Sequence, residues 1–322
     1  MDPLLIASAL VPTALLIALG ATLRRYGGFG EQFWRGAEAL TYSYLLPALF
    51  VVTLARADFS AVRVEAMAVV LAGTTLVGAS AVTALRRVAT GSGPAFTSVF
   101  QGAIRFNNYV GLVIAQALFG VQGVALAALT NAILVPIVNI LSTFVLARHG
   151  HAEMRGAAVL RAIATNPLVI SCLAGIALNV AGARLAAWLA APAPAAVVGV
   201  AATTLAVLGQ AALPIGLLCV GAGLRRPEGG AQTRPIAVST AVRLLVMPAV
   251  GLGASHLAGL EGPAATVALV FLALPTASSA YVLARRLGGD AALIASITAV
   301  ETVLALATLP AWLVLGRALG VG

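Results

Sequence analysis

Apolar runs long enough to cross a lipid bilayer recur ten times along this chain, near 4–23, 33–55, 62–85, 96–119, 122–147, 158–180, 196–220, 236–258, 263–286 and 290–315. Each offers the roughly 20 residues that a helix needs to span about 30 Å of hydrocarbon. None alternates with a period of two, which excludes a β-barrel and leaves helices as the only structure lipid tolerates. Only 9% of the 322 residues are charged, against about 25% in soluble domains. The expected fold is an all-α integral membrane protein of ten transmembrane helices. Its first run precedes the first basic pair, Arg24-Arg25. That order is the reverse of a signal peptide, so the run is expected to stay as a span.

The net charge of +9 comes from 19 basic residues, all of them arginine. Almost all lie between apolar runs, where they anchor loops to anionic headgroups, so no nucleic-acid partner is expected. The odd-numbered loops carry 13 Arg (24, 25, 35, 86, 87, 148, 155, 161, 225, 226, 234, 285 and 286); the other face carries 4 (56, 63, 184 and 317). This bias predicts that the 148–157 and 225–235 loops are cytoplasmic and both termini outside, in the cell (inner or plasma) membrane.

A repeat underlies the runs. The LP steps Leu46-Pro47 and Leu213-Pro214 are 167 residues apart, and the same offset carries Asn108 to Pro275. Asn131 and Glu301 are offset by 170. Two copies of five helices must enter the bilayer from opposite faces, which is the inverted-repeat plan of secondary transporters. The expected division is residues 1–147 as the first five-helix repeat, 148–157 as a short cytoplasmic linker and 158–322 as the second repeat.

Span 4 holds Arg105, Asn107 and Asn108 near its centre, flanked by Gly102 and Gly111. A charge and two amides at that depth cost several kcal/mol unless they serve a cavity or a partner. Span 9 matches it with Pro275, Thr276, Ser278 and Ser279. Proline removes a backbone hydrogen bond, and the hydroxyls can satisfy the freed groups or a ligand. Helices 4 and 9 are thus expected to break and to cross near the midplane, presenting half-helix N-termini to an anion. Arg105, Asn107, Asn108, Pro275, Thr276, Ser278 and Ser279 are the expected substrate-binding residues. Glu301, a carboxylate in the middle of a span, is the candidate for coupling to protons, with Asn131 its repeat partner; the alternative for Glu301 is a plain interhelical bond. Pro47 and Pro214 are expected to kink helices beside the site. Arg243 is expected to snorkel to the cytoplasmic interface, and Glu38 to pair with Arg35. Cys172 and Cys219 stand alone in apolar runs, and nothing has metal-ligand spacing. No metal or cofactor is expected beyond a coupling proton or sodium ion. A deep histidine, which Ser/His/Asp chemistry would need, is missing, so the chain is read as no enzyme.

The chain resembles the auxin efflux carrier family in its short bacterial form. The likeness rests on LLPALF in span 2, RFNNYVG in span 4, TNAILVPIVN in span 5, NPL at 166–168, LPIGLLCVGAGL in span 7 and LPTASSAYVLA in span 9. It implies ten spans, an inverted repeat and crossing broken helices, similar to bile-acid symporters, and relatives proposed as permeases of malonate and other carboxylates. Relatives of the plant auxin exporters carry a Pro-Asn pair at each crossing. Here Asn107-Asn108 has no proline, Pro275 precedes Thr276, and the long loop between spans 5 and 6 is missing, which argues against auxin itself. The expected function is a secondary active transporter of small organic anions such as carboxylates, working by alternating access in the lipid bilayer. A drug/metabolite-type exporter or a sodium-coupled organic-anion symporter is the alternative, and association as a homodimer is left open.

Overall fold

The computed structural model describes residues 3–60, 62–150, 161, 164–184, 192–224, 232–277 and 279–321. Among them there is no strand. Helix α1 is Pro3–Tyr26; α2 (Glu31–Leu40) runs through a wide π turn, Thr41–Leu45, into α3 (Leu46–Ala55); α4 is Val64–Ala84 and α5 the single turn Arg86–Ala89. Then come α6 (Gly93–Ile104), α7 (Asn108–His149), α8 (Pro167–Arg184) and α9 (Pro192–Gly223). Helix α10 (Thr233–Ala241) passes through a second π turn, Val242–Val246, into α11 (Met247–Ala258). The chain ends with α12 (Gly262–Ala273), α13 (Ser279–Leu287) and α14 (Ala291–Ala318).

Helix occupies most of the described part of every apolar run. Among the described residues, six stretches are long and apolar enough by themselves to cross a membrane: Glu31–Ala55, Val64–Ala84, Gly93–His149, Ala196–Gly223, Thr233–Ala258 and Ala291–Ala318. Pro167–Gly182 and Gly262–Ala273 are shorter apolar helices. In the sixth run, α8 starts at Pro167, where Asn166 accepts from the Leu168 N–H at 2.9 Å and caps the start, with proline at the first helical position. The expected linker 148–157 is described only to residue 150, where α7 closes.

The stretch 93–149 would measure about 85 Å as one straight helix, nearly three times the hydrocarbon thickness. Two interruptions divide it: residues 105–107, and Gly120 with φ 57° and ψ −135°. No side chain adopts that conformation cheaply, so Gly120 turns the chain between the fourth and fifth runs. Gly120→Ala is expected to destabilise the fold by about 1–3 kcal/mol, seen as a lower melting temperature in detergent.

Both π turns have one cause. A proline sits two residues after each, Pro47 and Pro248, and its ring clashes with the carbonyl four residues back unless the helix widens. The Leu244 carbonyl, freed by Pro248, accepts from Trp312 Nε1 at 2.8 Å.

Packing joins the early and late halves throughout. Helix α1 lies along α9, α3 along α8, α4 along α11 and α6 along α10. The buried core runs continuously between them through Phe50, Phe96, Met67, Phe271 and Ile297.

Candidate functional site

Two interrupted helices meet in the centre. Helix α6 ends at Ile104 and the chain continues extended from Arg105 (φ −78°, ψ 155°). Helix α12 ends at Ala273, followed by extended Leu274 (φ −65°, ψ 150°). Each break falls 12 residues into its pass, or about 18 Å at 1.5 Å per residue, near the middle of a hydrocarbon layer. There, backbone groups must find partners inside the protein. The Asn107 N–H donates to the Pro275 carbonyl at 2.8 Å, and Thr276 Oγ1 donates to the Gln101 carbonyl at 3.4 Å. The extended segments therefore close on each other.

Gly102 and Gly111, which flank the first break, are both helical. A Cβ on Gly102 would lie 2.2 Å from Ser239 Oγ, and one on Gly111 2.7 Å from Leu274 Cδ1. They let α6 and α7 approach their neighbours.

Opposite charges grip the second break from behind. Arg243, only 1% exposed, donates from Nε to the Leu274 carbonyl at 2.5 Å and from Nη2 to the Phe271 carbonyl at 2.6 Å. It does not snorkel to an interface. The carbonyls left open at the end of α12, and the negative pole of that half-helix, hold the cation instead. Glu301, fully buried, accepts from the Thr276 N–H at 3.0 Å and from Ser239 Oγ at 3.1 Å. Glu301→Leu strands both donors and is expected to cost about 1–3 kcal/mol for each; Glu301→Gln keeps one acceptor and should melt closer to the parent in detergent.

In front of the breaks lies a cavity of about 60 Å³, room for roughly four waters. Arg105, Asn107, Asn108, Asn131 and Ser279, all singled out by the sequence, line it. Arg105 reaches Asn139 Oδ1 at 3.0 Å and Ser279 Oγ at 3.2 Å, but no carboxylate pairs with it among the described residues. Asn107 caps α7 by accepting from the Val110 N–H at 3.4 Å, and Asn131 Nδ2 donates to Ala127 of its own helix at 2.8 Å. What is left over is informative. Arg105 Nε, Asn107 Nδ2, both polar atoms of Asn108, Tyr109 Oη and Asn131 Oδ1 are buried and unpartnered, all on lining residues. Buried polar atoms are nearly always paired, so this ring is set for a polar solute, with donors in the majority.

Pro275 and Thr276 form the wall behind the cavity without lining it, as does Glu301. Ser278 lies outside the described residues. Pro47 and Pro214 stand one to two turns from the lining residues Tyr42 and Cys219 on their own helices.

A sequence profile of the membrane transport proteins matches residues 5–313. The chain belongs to this family, the auxin efflux carriers. An uncharacterized transporter of Methanothermobacter thermautotrophicus is similar to it, 24% identical over 303 residues that cover 92% of this chain and 94% of that protein. Membership makes it a multi-pass membrane protein, and the family's motifs acquire local reasons here. The asparagine of NPL caps α8 and also donates to Tyr42 Oη at 3.1 Å. The cysteine of LPIGLLCVGAGL, Cys219, lines the cavity.

Sequence reasoning missed Glu38, Tyr42, Asn139 and Cys219 as lining residues. Glu38 does not pair with Arg35, which instead binds Glu31, four residues back. The usable signal was spacing: Glu38 and Tyr42 are i and i+4, and Asn131 and Asn139 are i and i+8, each pair on one helix face.

Proposed function

We propose that this family member is a secondary transporter of small organic anions, carboxylates first, working by alternating access around the paired breaks. One observation carries the reading: the half-buried Arg105, which has no carboxylate within ion-pair distance among the described residues, faces a cavity ringed by unpartnered donors at the start of α7. A solute carboxylate would supply the contact partner that the guanidinium lacks, and a bidentate grip suits it. The positive pole of α7 adds to the attraction.

The two breaks support an inverted five-plus-five repeat of ten spans, since they fall at equal depth and Asn131 and Glu301 stand beside one break each. The cavity walls support an inward-facing state. Glu38 lies in the first half of the pass Glu31–Ala55, Asn139 late in α7, Leu168 at the start of α8 and Cys219 near the end of α9. Those helix ends adjoin the Arg-rich loops read as cytoplasmic. With no nucleotide-binding motif in the sequence, the energy is the membrane potential or an ion gradient. A negative interior by itself favours export of anions, at about 2.3 kcal/mol per charge for each 100 mV.

The test is uptake of radiolabelled acetate, benzoate, malonate and succinate into proteoliposomes, with imposed pH, sodium and potential gradients. Saturable transport of at least one is expected, lost in Arg105→Ala. Equal rates in the parent and in that variant contradict the reading.

A further inference from the structure

Glu38 is the one acidic side chain that faces the cavity among the described residues, and nothing described holds it. It makes no ion pair or hydrogen bond to another described residue, while Arg35, its neighbour on α2, is taken by Glu31. The titratable groups that share the cavity with it are Tyr42 on its own helix, Arg105 and Tyr109 around the first break, and Cys219 on α9. Arg105 and Glu38 are not within ion-pair distance of each other. They nevertheless set the charge of one small volume.

Empty, that volume is neutral, with one guanidinium and one carboxylate. A bound monocarboxylate leaves it at −1, and an uncompensated buried charge costs several kcal/mol. A proton on Glu38 restores neutrality. Glu301 is poorly placed for this task, because it does not line the cavity and its two oxygens already accept from the Thr276 N–H and Ser239 Oγ behind the second break.

We propose that Glu38 takes up the proton that accompanies the substrate anion, making binding in this cavity a joint anion-and-proton event. In the step, an O–H bond forms on a Glu38 carboxylate oxygen as a hydronium ion on the open side becomes water; no electrons are exchanged. This rests on the carboxylate reading above. It places the proton site in the α2 wall, opposite the crossing, and it predicts that affinity falls as pH rises, by about tenfold per unit where Glu38 ionises in the empty protein.

Calorimetry in buffers of different ionisation enthalpy tests it, with acetate, benzoate, malonate and succinate as probes on the purified full chain. Variants are first required to elute as single species and melt like the parent. The parent should take up about one proton per anion bound, Glu38→Gln should bind without proton uptake and without pH dependence, and Glu38→Asp should restore both. Proton uptake persisting in Glu38→Gln overturns the proposal and leaves the carboxylate reading intact. Binding lost in both Glu38 variants also overturns it, since the glutamine stands for the protonated form. A parent that binds none of the probes, or an Arg105→Ala variant that binds as the parent does, overturns the carboxylate reading itself.

Discussion

Arg105→Ala is expected to lower carboxylate affinity by at least about thirtyfold while the protein remains folded. The guanidinium uses two of its donors on Asn139 and Ser279 and keeps Nε free toward the cavity. Truncating one member of a buried charge pair typically costs about 2–5 kcal/mol, and about 1.4 kcal/mol is tenfold in affinity. Stability should change little, since Arg105 has no carboxylate within ion-pair distance among the described residues. Arg105→Lys separates charge from shape. An ammonium is a point donor and cannot hold Asn139, Ser279 and a solute in one plane, so the variant should bind weakly with both partners adrift. Equilibrium binding at fixed ionic strength, beside a melting curve for each variant, checks both halves of the statement.

Arg243→Leu should show the opposite pattern, a large loss of stability with binding impaired only as the fold fails. Its guanidinium serves the Phe271 and Leu274 carbonyls at the open end of a half-helix, where no water substitutes. Removing one member of a buried charged arrangement costs about 3–5 kcal/mol. Two orphaned carbonyls would remain. Arg243→Lys keeps the cation but reaches fewer carbonyls, and should recover part of the loss. Melting in detergent with intrinsic Trp fluorescence is a direct readout, because Trp312 donates to the Leu244 carbonyl beside Arg243.

The contrast between these two arginines marks what the sequence could reveal. Both sit in apolar runs, and depth alone made Arg105 a cavity residue and Arg243 a snorkeller. Arg105 was legible because Asn107 and Asn108 stand beside it in the chain and Pro275 matches them one repeat away, so that a cluster of costly groups pointed at one place. Arg243 has no such neighbours. Its partners are backbone carbonyls 28 and 31 residues away, which carry no residue-type signal. Glu301 was visible as a deep carboxylate, but whether it faced solute or backbone depended on where Thr276 placed its N–H. Glu38 was hidden by a tie: Arg35 stands between Glu31 and Glu38 with helical spacing to each, and only the fold shows Glu31 taking it. The turn at Gly120 could be read as the gap between two runs, though its positive φ could not. Boundaries, periodicity and polar depth are local properties; choice of partner is not.

The claim at the centre is that a carboxylate-bearing solute occupies the cavity in front of the two breaks, held by Arg105. Cys219 reports on it directly, as a native thiol in the cavity wall. In a Cys172→Ala background, a small methanethiosulfonate reagent should modify Cys219 at a measurable rate. The carboxylate that is transported should slow that rate in proportion to its saturation of transport, and should have no effect once Arg105 is alanine. A labelling rate indifferent to a carboxylate that the same protein transports saturably would contradict the account.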